Sequence, residues 1–298
     1  MRFNRVIVVD WSAAAGPKRG RDSIWIGPSD GAPSNPATRA EAEAQLAAAV
    51  DRALAAGERL LIGVDIAFGY PSGLARALTG HDAALALWEW LASRMVEAPG
   101  NRSNYRAVAA EINARFGGGT PFWGNGARDE VPGLPRLKPA LPAGIGAVRA
   151  VERLGSGGHL QPKSPWQLAG IGAVGAQTLT AIPVLWRLRA RHRGKVAVWP
   201  FEEAEAPVVL AEVYCTHVSR AVAAAEALGE APRDAAQVRI LARALQRLSD
   251  EGRLAALFAV PVPEAVAREE GWTLGTHHAD LLERGGGGAQ RPPPPPPG

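Results

Sequence analysis

Two aspartates end apolar runs and are followed at once by small residues. One run is Val6-Ile7-Val8-Val9-Asp10-Trp11-Ser12-Ala13, the other Leu60-Leu61-Ile62-Gly63-Val64-Asp65-Ile66-Ala67. A carboxylate on the last residue of a buried strand sits at the sheet's carboxyl edge, where open α/β sheets keep their ligand sites. Glu212 stands inside Val208-Val209-Leu210-Ala211-Glu212-Val213-Tyr214. A lone carboxylate in such a strand is costly unless it is paired or bound to metal. Asp234 follows Pro232-Arg233 and opens a helical sequence, a position that also suits the helix dipole. If Asp10, Asp65, Glu212 and Asp234 meet in one pocket, their charges repel and raise one another's pKa. Divalent cations relieve that repulsion, and an oxygen-only ligand set favours Mg²⁺ or Mn²⁺ over Zn²⁺. Two such ions about 3.5–4 Å apart would clamp the attacking and leaving oxygens of a phosphodiester.

Other residues invite chemistry beside this set. Ser12-Ala13-Ala14-Ala15-Gly16, with Lys18 and Arg19, could cradle phosphate through backbone N–H groups and offer charge to a transition state. The segment does not have Walker A spacing. Arg187, Arg189, Arg191, His192, Arg193 and Lys195 cluster at the end of a helical sequence, where cations answer the dipole or a phosphate backbone. Trp199-Pro200-Phe201 could stack a base or fill the core, and Trp123 and Asn125 could line an excursion over the site. Cys215 and His217 lack a third group to orient the imidazole, so a small buried thiol is the simpler reading. His277-His278 with Asp280 matches no helix-face pair of metal ligands and reads as a surface turn.

These residues need a scaffold. Residues 5–10 read as a first strand, 22–27 as a short strand hairpinned to it, 38–56 as a helix closed by Gly57, and 60–65 as the next strand. Residues 71–80 read as a loop, 82–96 and 105–116 as helices, and 117–164 as a long Gly/Pro-rich excursion. A helix over 165–193 is expected, its glycines explained by close approach to the sheet, then strands at 195–199 and 207–214 and helices at 219–228 and 233–248. Glu269-Glu270-Gly271-Trp272 reads as a turn or strand start. The pattern predicts one α/β domain over residues 1–284, a mixed sheet flanked by helices with an insertion near 75–165. Residues 285–298 read as a disordered tail.

The bulk numbers leave this reading open. Thirty-three Lys and Arg against 29 Asp and Glu give a net charge of +4 over 298 residues, which permits an anionic partner without demanding one. A single cysteine excludes an internal disulfide and fits a reducing compartment. No apolar run of about 18 residues is present, and strand-like sequence begins by Val6, leaving no room for a signal peptide. The expectation is a cytoplasmic protein that does not enter membranes.

The order of acidic residues (first-strand Asp, later-strand Asp, late-strand Glu, helix-borne Asp) resembles the ribonuclease H-like superfamily. Within it the chain is similar to the uncharacterised group of predicted ribonuclease H-like nucleases. The likeness rests on Val9-Asp10-Trp11-Ser12, Gly63-Val64-Asp65 with Pro71-Ser72-Gly73, Ala211-Glu212-Val213-Tyr214, Asp234-Ala235 and Glu270-Gly271-Trp272, and covers about residues 5–275. The resemblance implies a ribonuclease H-like fold and Mg²⁺-dependent hydrolysis of nucleic acid or nucleotide. Asp10, Asp65, Glu212 and Asp234 would be the metal ligands, and Ser12, Lys18 and Arg19 would lie near the substrate. The superfamily also contains actin-like ATPases, so a nucleotide-binding phosphotransferase is an alternative. The opening further resembles proteins grouped with molybdopterin guanine dinucleotide synthesis.

Overall fold

The computed structural model describes residues 1–154, 163–230 and 232–283. The tail expected at 285–298 lies outside the described residues. In chain order the elements are β1 (Arg5–Asp10), β2 (Trp25–Pro28), α1 (Arg39–Ala56), β3 (Leu60–Asp65), α2 (Leu74–Thr79), α3 (Ala84–Arg94), β4 (Glu97–Ala98), β5 (Arg102–Ser103) and α4 (Tyr105–Asn113). They continue with α5 (Ala150–Leu154), α6 (Gly175–Arg191), β6 (Val196–Trp199), β7 (Val208–Glu212), α7 (Ser219–Ala227), α8 (Arg233–Asp250), α9 (Glu264–Glu270) and α10 (Ala279–Glu283). A 3₁₀ turn, Cys215–Val218, joins β7 to α7.

The main sheet has the order β2-β1-β3-β7-β6. Only β2 is antiparallel; β1, β3, β7 and β6 run parallel, so their carboxyl ends share one edge. Helices cover both faces, which is why β1, β3 and β7 read as near-continuous apolar runs. One face carries Ile7, Val9, Ile62, Val64, Val198 and Leu210 against α1, α3 and α6. The other carries Val6, Val8, Leu61, Val209 and Ala211 against α8. α8 meets it with Val238, Leu241, Leu245 and Leu248, spaced to form one apolar stripe. Each such side chain contributes about 1.5–3 kcal/mol of burial.

Strong local signals set the central elements. β1 and β3 end on Asp10 and Asp65. Thr38 caps α1 by accepting the Glu41 N–H, and Gly57, at φ 66°, closes it. Four expectations are corrected. Residues 165–174 are not helical, because Gly172 has φ +74°, outside the helical region, and α6 begins only at Gly175. Residues 71–80 hold the short helix α2 rather than loop alone. The second strand is shifted to Trp25–Pro28. Glu269 and Glu270 end a helix, and Thr273 then bridges to Glu212. The expected excursion is built into the first core layer: Tyr70 stacks on Trp166 at 5.0 Å, and Phe122 meets Trp166 edge-on at 5.1 Å.

Candidate active site at the sheet edge

Asp10 and Asp65 are direct register partners in the β1–β3 ladder. Parallel partners point the same way, so both carboxylates extend the α8 face of the sheet. They open on a cavity of about 350 Å³ at the carboxyl edge. The wall includes Val174 and Gln177 from around the start of α6, Tyr214 and His217 from the segment after β7, and Gln237 from α8. Asp65 accepts the Cys215 N–H at 3.1 Å, which fixes the turn that carries His217. Burial lifts the Asp10 pKa well above the usual carboxylate range, and the charges of Asp65, Asp234 and Asp22 lift it further. Burial likewise pushes Asp65 up to about 6, with Glu212 adding to the rise and the Cys215 N–H opposing it. Among the described residues no protein cation offsets either charge.

Glu212 is placed otherwise. Its register partner is Val64, one residue short of Asp65. Alternation along a strand then puts Glu212 on the opposite face from Asp10 and Asp65, although it still lines the same cavity. Both its oxygens are engaged. Arg149 Nη1 and Nη2 donate to them at 2.7 Å each, the Phe68 N–H donates at 2.7 Å and the Thr273 hydroxyl at 2.5 Å. Of the four expected carboxylates the structure sets Asp10 and Asp65 side by side, with Glu212 on the same cavity but held by an arginine.

Arg149 is 2 % exposed and also binds Glu152 at 2.5 Å and the Glu270 carbonyl at 3.0 Å. The Glu270 carboxylate accepts from Ala150 N–H at 2.5 Å and Ser72 N–H at 2.9 Å, and Glu269 accepts Gly73 N–H at 2.7 Å. These bonds fasten three distant segments to the end of β7. Gly69 belongs to the same knot: a Cβ there would lie 2.5 Å from the Glu270 carbonyl oxygen and 2.7 Å from that of Glu269. Gly69→Ala is expected to lose about 1–3 kcal/mol by overpacking; an unchanged urea midpoint would show that the knot has slack.

The remaining expected residues scatter. Asp234 stands in the first turn of α8, where its Oδ2 accepts the Asp22 N–H at 2.7 Å. It lies close enough to raise the Asp10 pKa but lines a neighbouring cavity with Arg21 and Arg233. Ser12 donates to the Asp22 carbonyl and accepts the Ala14 N–H, so it shapes its own loop. Lys18 faces Asp22 at 3.9 Å, and Arg19 donates to the Asn35 carbonyl at 2.7 Å. Neither lines the Asp10–Asp65 cavity.

The basic cluster is largely spent within the chain. Arg187 binds Glu43 at 2.6 Å, Arg189 binds Glu202 at 2.5 Å, and Arg191 and His192 share Asp51. Trp199 is core, and Phe201 packs edge-on to Trp88. Trp123 and Asn125 do not line the cavity. Cys215 is buried, and its thiol pKa is pushed up by burial and by Asp65, as suits an inert thiol. Sequence reasoning missed Arg149 and Lys163, isolated cations in an aperiodic stretch, and set His217 aside. His217 is 9 % exposed, lines the cavity and is held neutral, with its pKa pushed down to about 4 by burial.

Two half-buried, uncompensated carboxylates side by side suit a hard cation. Mg²⁺ is commonly held by one or two carboxylates, with water and substrate phosphate completing its shell. Among the described residues no group of three or more His, Cys, Asp or Glu is arranged to hold a metal, so Asp10 and Asp65 alone would be the protein donors. The arrangement defines a class: a mixed α/β protein with paired aspartates at the parallel edge of its sheet. No family model matches the chain, and neither a curated protein nor a solved structure matches it. Among the described residues no helix is long and apolar enough to cross a membrane.

Proposed function

We propose that this protein is a divalent-cation-dependent hydrolase of phosphate esters, a ribonuclease H-like nuclease or nucleotide hydrolase working in the cytoplasm. The observation that carries the reading is the Asp10–Asp65 pair, half-buried, repelling and, among the described residues, without a protein cation. Asp10 and Asp65 would hold Mg²⁺ or Mn²⁺, which when bound supplies a Lewis acid for a phosphoryl oxygen and its attacking water. Asp234 adds negative potential beside them. Glu212, expected as a ligand, instead works with Arg149 to hold the end of β7 in place. Its place on the opposite face of the sheet and its engagement by Arg149 favour a single-ion site over a bridged two-ion cluster.

The test is release of p-nitrophenol from bis(p-nitrophenyl) phosphate and p-nitrophenyl phosphate, with labelled single-stranded and duplex RNA and DNA beside them. Release that needs Mg²⁺ or Mn²⁺ and stops in EDTA is expected. Absence of turnover on every substrate, together with no thermal shift on adding either ion, would end the proposal. The phosphotransferase alternative receives less support. The amides of Phe68, Ser72 and Gly73, which a second phosphate loop would need, already donate to Glu212, Glu270 and Glu269. No separate observation favours the cofactor-synthesis alternative.

A further inference from the structure

The cavity crosses the sheet edge from one core layer to the other. On one side lie Lys163, Gly172 and Gln177, in and around the segment that leads into α6. On the other lie Tyr214, His217 and Gln237, carried by the turn after β7 and by α8. Asp10 and Asp65 stand between them on the strand tips.

The two sides differ in chemistry. Arg149 lines the cavity but is consumed by Glu152 and Glu212. Lys163 also lines the cavity, and among the described residues it forms no ion pair with a carboxylate. The chain bends closely round its head: a Cβ on Gly172 would lie 2.9 Å from Lys163 Nζ. Opposite, the His217 ring is nine-tenths buried, and its Nδ1 has no hydrogen-bond partner among the described residues. Buried polar atoms are nearly always paired, so an orphan on a residue that lines the cavity calls for an explanation. A neutral imidazole offers one donor and one acceptor, which suits a sugar hydroxyl or a base edge. A cavity of about 350 Å³ lies at the small end of ligand sites and suits one such unit rather than several.

We propose that the cavity binds one nucleotide-sized phosphate ester, with Lys163 on the phosphate and His217 on an uncharged hydrogen-bonding group of the nucleoside. This rests on the reading of the site as one for phosphate esters and names the class of ester. Lys163 and His217 are binding residues on opposite sides of the aspartate pair, and the phosphate faces the pair.

The test is calorimetric titration of the full chain, with Mg²⁺ in every sample, using AMP, adenosine and inorganic phosphate as probes. GMP, CMP and UMP with their nucleosides extend the series, and 2′-deoxyadenosine separates a ribose-hydroxyl contact from a base-edge contact. Lys163→Gln is expected to weaken AMP and phosphate roughly tenfold and leave adenosine unchanged. His217→Phe is expected to weaken AMP and adenosine roughly tenfold and leave phosphate unchanged, as loss of one buried hydrogen bond would. His217→Asn, which keeps a donor and an acceptor, should restore most of that loss and serves if the phenylalanine variant does not fold. Failure of every mononucleotide to bind, or identical probe affinities in wild type, Lys163→Gln and both His217 variants, would overturn the proposal. Mononucleotide binding with this variant pattern but no hydrolysis of any phosphate ester would keep the subsite and discard the hydrolase. Cation-dependent hydrolysis with unchanged binding in the variants would do the reverse.

Discussion

Asp65→Asn is expected to remove cation-dependent turnover and yet make the cation-free protein more stable at neutral pH. Asp10→Asn should behave in the same way. Loss of a metal-holding carboxylate forfeits several kcal/mol of transition-state stabilisation, about a thousandfold or more in rate. The stability gain follows from proton linkage. The Asp65 carboxyl has a pKa of about 6 when folded against 3.8 for the unperturbed group. Between those values the folded chain binds more protons than the unfolded one, so stability falls as pH rises through the window. The penalty is absent below the unfolded pKa and complete above the folded one. About two pKa units correspond to roughly 3 kcal/mol at most. Asparagine carries no charge and keeps an acceptor for the Cys215 N–H, so the variant escapes the penalty without losing that bond.

His217 runs the other way. Its folded pKa of about 4 lies below the ordinary 6.5, so the unfolded chain takes up the proton first and stability falls as pH drops through that window. The two slopes oppose each other in the wild type and flatten its pH profile. The difference between Asp65→Asn and wild type removes the histidine's share and leaves that of the aspartate pair, since Asp65 also raises the Asp10 pKa. Urea unfolding in EDTA should show an advantage of up to about 3 kcal/mol near pH 7, shrinking to about 1 kcal/mol near pH 4.5. An advantage that does not vary with pH would mean that the carboxylate is not destabilised by burial. Unchanged turnover in either asparagine variant would remove these residues from the chemistry.

Arg149→Met is expected to cost about 3–5 kcal/mol, the usual consequence of removing one partner from a buried ion pair. Its guanidinium touches Glu152, Glu212 and the Glu270 carbonyl, on a side chain only 2 % exposed. With the guanidinium gone, Glu212 keeps, among the described residues, only the Phe68 N–H and the Thr273 hydroxyl. Arg149→Lys should recover only part of the loss, because an ammonium cannot serve Glu212 with two parallel bonds and Glu152 at once. Adding Glu212→Gln to Arg149→Met should regain some stability by removing the buried unpaired charge. The measurement is the urea midpoint at constant slope. A loss under about 1 kcal/mol for Arg149→Met would show that the clamp is incidental to the fold.

Much of this molecule was written in local pattern. Apolar runs ending on Asp10 and Asp65 located the central strands and their edge, because a buried parallel strand needs apolar side chains on both faces and its tip does not. Thr38 and Gly57 marked the ends of α1, because capping is chemistry between near neighbours. What the sequence could not decide was which carboxylates meet. A single-residue offset in register, Val64 rather than Asp65 opposite Glu212, sends that side chain to the far face of the sheet. Its partner Arg149 lies 63 residues away in a stretch with no periodicity. Lys18 and Arg19, adjacent in sequence to the first aspartate's loop, turned to Asp22 and Asn35 instead, while Lys163 reached the cavity from afar. Strand ends and caps depend on neighbours along the chain, whereas ion pairs and cavity walls depend on register and on long-range packing, which only the folded structure supplies.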